Sequence, residues 1–235
     1  MNKSLVPNGL TSLNLVFGMC SILSTFNNNL TMGAICILLA LVADGLDGRA
    51  ARALGVSSEM GKEMDSLCDL VSFGAAPAIL VYQLQLHVFG ALGWIAAIFF
   101  ALCGMWRLAR FNVNTTVVHG YFMGLAIPAG GCLLATSSLL LTAVGYDFNQ
   151  LSYAYPVIVM VVGYLMVSTV HFPDFKGDGE KMNLVAKIIA ALVFVVILVL
   201  GLASIVYAVL FGIFAAYAIF GIINHGINVV QGNVQ

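Results

Sequence analysis

Charge is what this sequence has least of. Only 8% of its 235 residues are Asp, Glu, Lys or Arg, a third of the roughly 25% usual in a soluble domain. Nine basic and ten acidic side chains leave a formal net charge of −1. No basic excess exists to neutralise a phosphate backbone, which excludes nucleic acid as a partner. Scarce charge with 61% hydrophobic residues is also the reverse of a disordered composition. Cysteine offers no framework: Cys20, Cys36, Cys68, Cys103 and Cys132 stand singly in apolar stretches, with no CxxC pair and no Cys/His cluster at metal spacing. They read as small apolar core residues. Strand-like alternation is missing too, which argues against a membrane β-barrel.

What the chain has is apolar length. Its mean hydropathy is +1.04, and at roughly 20 residues per crossing it can supply about eight spans. Runs fall at about 10–26, 31–50, 63–86, 91–110, 121–144, 154–171, 184–202 and 204–224. The expected fold is an all-α integral membrane protein forming a single domain over 1–235. The start of the chain lacks a small-residue cleavage site, and Phe17-Gly18-Met19 before Cys20 makes a poor lipoprotein box, so the first run reads as a retained helix. With eight spans, all nine Lys and Arg (Lys3, Arg49, Arg52, Lys62, Arg107, Arg110, Lys176, Lys181 and Lys187) fall on one side. The positive-inside rule makes that side cytoplasmic, as are both termini. Asp147 alone among the acids then lands outside. Trp94 and Trp106 mark opposite ends of the fourth span, as an aromatic belt requires.

One segment breaks the apolar pattern. Asp44 and Asp47 are three residues apart and share a helix face; Asp65 and Asp69, four apart, share a face of the next helix. Residues 31–43 make only about 20 Å of helix, too short for a core about 30 Å thick. The second span must therefore continue through Asp44 and Asp47, and the third must include Asp65 and Asp69. Four carboxylates thus lie just below one membrane surface, on an antiparallel hairpin. Each like-charge pair about 4 Å apart costs about 4 kcal/mol at an effective dielectric near 20. Between Asp44 and Asp69 six acids face three bases. Two divalent cations would offset that deficit, and all-oxygen ligands suit Mg²⁺ or Mn²⁺ rather than zinc. A carboxylate-bridged metal pair fits in-line displacement at phosphorus. Gly45, Gly48 and Gly61 would let a phosphate or nucleotide approach the backbone, or simply let helices pack closely.

The run Asp44-x-x-Asp47-Gly48-x-x-Ala51-Arg52, then Gly61-x-x-x-Asp65-x-x-x-Asp69, resembles the full motif of the CDP-alcohol phosphotransferases. Pro7-Asn8-x-x-Thr11-x-x-Asn14 is similar to that family's N-terminal start. The resemblance implies a homodimer with a six-helix core, about 5–171 here, plus two additional helices at about 184–224. It implies transfer of a phosphatidyl-type group from a CDP-linked lipid to an alcohol, with release of CMP. Carried over, Asp44, Asp47 and Asp65 are metal ligands; Asp69 shares the second metal and is the general base. Gly48, Ala51, Arg52 and Gly61 hold the CDP moiety, and Asn8 and Thr11 close its cytidine end.

For the acceptor, Arg107-Leu108-Ala109-Arg110-Phe111-Asn112 followed by Phe122-x-Gly124-Leu125-Ala126-x-Pro128 resembles the phosphatidylserine synthase branch, with Ala126 where that branch has Pro. This implies CDP-diacylglycerol and L-serine as substrates. Arg107 and Arg110 share one helix face and could hold serine's carboxylate or the lipid phosphate, Asn112 completing that side; they could also be interfacial anchors. Glycerol 3-phosphate and inositol phosphate are the alternative acceptors. A cation-coupled transporter is the alternative of another class, but transporters place such carboxylates near the midplane in two corresponding repeats, and no second half answers this hairpin. His87, His171 and His225 read as interfacial or inert, and 174–181 as a solvated loop.

Overall fold

A computed structural model of the chain describes residues 5–56, 58–113, 121–145, 153–173 and 183–232. Lys3, Asp147, Lys176, Lys181 and the loop 174–181 lie outside the described residues. Eight helices dominate: α1 (Leu5–Phe26), α2 (Leu30–Leu54), α3 (Glu59–Leu84), α4 (Ala91–Val113), α5 (Ile127–Ala143), α6 (Ala154–Val167), α7 (Leu184–Leu200) and α8 (Ile205–Val230). A π turn, Leu70–Ala75, interrupts α3. Strands β1 (Tyr121–Met123) and β2 (His171–Pro173) pair antiparallel, Phe122 opposite Phe172.

The chain is an all-α membrane protein, and helix α1 shows the inverted amphipathicity this demands. Pro7, Thr11, Asn14, Gly18, Ser21 and Thr25 form its buried stripe, while Leu5, Val16, Leu23 and Phe26 face outward. With hydrocarbon outside, the polar and small side chains are the ones that gain by turning inward. Gly18 is required by close approach: a Cβ there would stand 2.9 Å from the Cα of Ser72 on α3. Asn28, at φ +58°, makes the α1–α2 turn, and Asn29 caps α2 by accepting from the Met32 amide at 3.1 Å.

Helix α5 is central, packed on α2, α3 and α8, and Gly131 lets it press against the backbone of Phe73. Phe73, Phe100, Ile127 and Phe172 fill the core around it. Five helices (α1–α4 and α8) are long and apolar enough to cross a membrane, whereas α5, α6 and α7 are shorter. Two of the expected runs are trimmed for one reason. Residues 121–123 and 171–173 leave the helices to pair as β1 and β2, so α5 starts at Ile127 and α6 ends at Val167. Gly124, at φ +77°, turns the chain from β1 towards α5, and Pro128 sits in that helix's first turn. Helix α8, by contrast, runs past 224 to Val230, because Asn224 and Asn228 are buried rather than solvated. His225 is thus inside a helix, its ring 4.8 Å from that of His171. The β1–β2 ribbon joins the chain after α4 to the chain after α6, so those two helices end at the same end of the bundle.

Candidate active site

The α2–α3 hairpin builds the site. Gly55, at φ +62°, ends α2, its amide donating to the carbonyls of Ala51 and Arg52. Ser58 then caps α3 by accepting from the Gly61 amide at 3.0 Å. This short, doubly capped connection faces the two helices at each other. Asp44, Asp47 and Asp65 each present a carboxylate oxygen, and these atoms all lie within 4.8 Å of one another. Asp47 is buried, and its Oδ2 accepts from Thr11 Oγ1 at 2.7 Å. Asp65 Oδ1 is buried with no protein hydrogen-bond partner. Three convergent carboxylate oxygens, from side chains that include the unpartnered Asp65 Oδ1, form a donor set suited to a hard divalent cation.

Asp69 stands beside this triad rather than within it. It is buried, within electrostatic reach of Asp44 and Asp65, and its Oδ1 accepts from Asn14 Nδ2 at 3.1 Å. The backbone of Asn14 is held in turn, because Ser72 Oγ donates to its main-chain carbonyl at 3.0 Å, across the contact that Gly18 permits. The π turn begins at the residue after Asp69, and such turns recur at functional sites.

A cleft of about 520 Å³ adjoins the triad, within the range of small-ligand sites. Asn8 and Thr11 of α1, Gly48 and Ala51 of α2, and Gly61 of α3 all line it, together with Asp47 and Asp65. A Cβ on Gly48 would lie 3.5 Å from an Arg52 guanidinium nitrogen, and one on Gly61 would lie 3.4 Å from Asn8 Oδ1. The exposed Arg52 therefore folds over Gly48, while Asn8 and Gly61 face each other across the cleft.

The two α4 arginines part company. Arg110 donates to four carbonyls, those of Val167 (2.9 Å), Met123 (3.1 Å), Met166 and Ser168 (both 3.3 Å). It clasps the end of α6 to the turn after β1. Arg107 points inward: it is only 8% exposed, lies 5.9 Å over the Phe111 ring, and its Nε has no hydrogen-bond partner. Asn112 exchanges hydrogen bonds with Ser66 on α3 at 2.9 and 3.2 Å. The end of α4 is thereby tied to the helix that carries Asp65 and Asp69.

Several cleft and support groups escaped sequence reasoning. Ser58, Val56 and Lys62 line the cleft, yet Lys62 read only as a topology marker. Asn14 belongs to the quoted N-terminal motif but carried no assigned role there, although it stands three residues after Thr11 and so on the same face. The Ser66–Asn112 tie joins residues 46 apart, and no local pattern announces it.

Residues 4–172 match the family described as CDP-alcohol phosphatidyltransferase. The CDP-diacylglycerol–serine O-phosphatidyltransferase of Helicobacter pylori is 34% identical over 194 residues, covering 81% of this chain and 82% of the relative. The protein of the same name from Bacillus subtilis is 35% identical over 182 residues, covering 75% and 94%. An archaetidylserine synthase of Methanothermobacter thermautotrophicus is 38% identical over 178 residues, covering 75% and 72%.

Proposed function

The chain belongs to the CDP-alcohol phosphatidyltransferase family, and on that premise we propose that it transfers the phosphatidyl group of CDP-diacylglycerol to the hydroxyl of L-serine, giving phosphatidylserine and CMP. The observation that carries this reading is the convergence of the Asp44, Asp47 and Asp65 oxygens within 4.8 Å, beside a polar cleft of nucleotide-compatible size. Serine is favoured among acceptors because relatives named for phosphatidyl and archaetidyl products alike carry serine in their names.

Asp44, Asp47 and Asp65 would hold Mg²⁺ or Mn²⁺ ions, with Asp69 completing the second position. When bound, the pair supplies charge stabilisation for the diphosphate in an in-line displacement. The chain's own groups do the rest. Asn8, Thr11, Gly48, Ala51 and Gly61 cradle the CDP. Asn14 orients Asp69, which accepts the proton of the serine hydroxyl. The serine oxygen attacks the lipid-bearing phosphorus; a new P–O bond forms as the bond to the CMP phosphate oxygen breaks. CMP leaves with the electron pair, its charge met by Arg52. Arg107, buried with donor capacity to spare, takes the acceptor's carboxylate as a planar fork suits. Arg110 and Asn112 keep that side in place through their contacts with α6, β1 and α3.

In this reading 1–235 is one catalytic unit working as a homodimer, with the site and both termini on the cytoplasmic side of the membrane. Purified protein given CDP-diacylglycerol and a panel of alcohols tests it by CMP release. Serine should support release at least about tenfold above glycerol 3-phosphate or inositol phosphate, since a site that hydrogen-bonds its substrate's polar groups discriminates more sharply than an apolar pocket does. Release with glycerol 3-phosphate but not serine would overturn the acceptor.

A further inference from the structure

Arg107 turns from α4 into the bundle, where ionisable side chains of two other helices stand within electrostatic reach, Asp69 of α3 and Tyr217 of α8. Tyr217 is half-buried and lies beyond residue 172, where the family match ends. Its ring is 5.6 Å from that of Phe172 on β2, tilted by 42°. Phe172 is fully buried and sits opposite Phe122 in the β1–β2 ribbon. Gly221, four residues after Tyr217 and so on the same face of α8, lets the helix press on Phe172, because a Cβ there would run into that ring. Asn224, about one turn further, accepts from the Asn183 amide at 2.7 Å and holds the start of α7. Tyr217 is thus carried by a helix fastened to its surroundings at this end.

We infer, on the serine acceptor proposed above, that the Tyr217 hydroxyl positions the Arg107 guanidinium for the acceptor's carboxylate, so that α8 helps select the acceptor. A guanidinium as buried as this one is costly unless its donors are matched, and Arg107 Nε has no hydrogen-bond partner. A phenol is a partner of a particular kind. Its oxygen accepts from a guanidinium, yet the group is neutral at physiological pH. It fixes the direction of the fork without cancelling the charge, as a carboxylate at position 217 would. That preserved charge is what an incoming carboxylate needs, and an alcohol without an anionic group gains nothing from it. Asp69, also within electrostatic reach of Arg107, supplies the second bearing. Serine joins its hydroxyl and carboxylate through a short link, so a carboxylate held by Arg107 keeps the hydroxyl near the group that takes its proton. Tyr217 is therefore a positioning residue that acts through Arg107.

Tyr217→Phe in the full chain tests this, because it keeps the ring against Phe172 and removes only the hydroxyl. The KM for serine should rise about tenfold, the worth of one hydrogen bond to a charged group. The kcat and the KM for CDP-diacylglycerol should stay within about twofold, as expected when only acceptor binding is lost. In an Arg107→Lys background, which lacks the fork, the same substitution should change the serine KM less than about twofold, because the two residues act as one unit. An unchanged serine KM, equal shifts in both KM values, or additive effects with Arg107→Lys would overturn the inference. Should the variant not accumulate in the membrane, crystals of the native protein grown with serine and Mg²⁺ decide. A Tyr217 oxygen within about 3.2 Å of an Arg107 nitrogen upholds the role, and a hydroxyl bonded elsewhere refutes it. If the native protein releases no CMP with serine, the proposed function falls and this inference with it. If the native protein uses serine and Tyr217→Phe matches it, the inference alone falls.

Discussion

Replacing Asp69 by Asn should lower kcat by about 10²- to 10⁴-fold, the usual contribution of a positioned general base, while CDP-diacylglycerol still binds. The substitution keeps shape: the amide carbonyl oxygen it introduces can still accept from Asn14 Nδ2, which lies 3.1 Å from Asp69 Oδ1 in the native chain. The three convergent oxygens of Asp44, Asp47 and Asp65 remain. What disappears is the group that receives the serine proton, together with one of the charged ligands of the second ion. Turnover assays beside calorimetric titration with the lipid donor would show the split. A variant turning over within about twofold of the native protein would remove Asp69 from the proton transfer.

Asp47→Asn should have a comparable effect by another route. Asp47 is buried, lies in the triad, and is oriented by the Thr11 hydroxyl at 2.7 Å. Removing a group that merely supports a metal ligand costs about 10–100-fold in metal affinity; removing the ligand's charge should exceed that. Activity at limiting Mg²⁺ should fall more than about 100-fold, with partial recovery as Mg²⁺ is raised. The unmodified protein should lose all activity in a chelator and regain it with Mg²⁺ or Mn²⁺. Full activity of the chelated, metal-depleted enzyme would contradict the donor-set reading.

The hairpin was legible in the sequence because its logic is local. Residues three or four apart share a helix face, and short apolar runs must extend through Asp44 and Asp65 to cross a bilayer. The eight helices followed from apolar length alone. The ends that differed did so for non-local reasons. β1 and β2 exist only because residues 121–123 and 171–173 meet across nearly 50 positions, and α8 continues because Asn224 accepts the Asn183 amide at 2.7 Å. Arg107 and Arg110 show the same limit. Three residues apart, they look equivalent in sequence; yet Arg110 is engaged by the carbonyls ending α6, and of the two only Arg107 is left with an unpaired buried nitrogen. The approach of Tyr217 to Arg107 was not legible at all, since the two lie far apart in the chain and α8 reads simply as an apolar span.

All of this depends on carboxylates from α2 and α3 gripping paired divalent ions together. The most direct test is anomalous diffraction from crystals of the protein grown with Mn²⁺ and the CDP-linked donor. Two manganese peaks about 3.5–4 Å apart, as in two-ion sites, should lie between Asp44, Asp47, Asp65 and Asp69. No peak at these four side chains, or peaks held by other residues, would contradict the account.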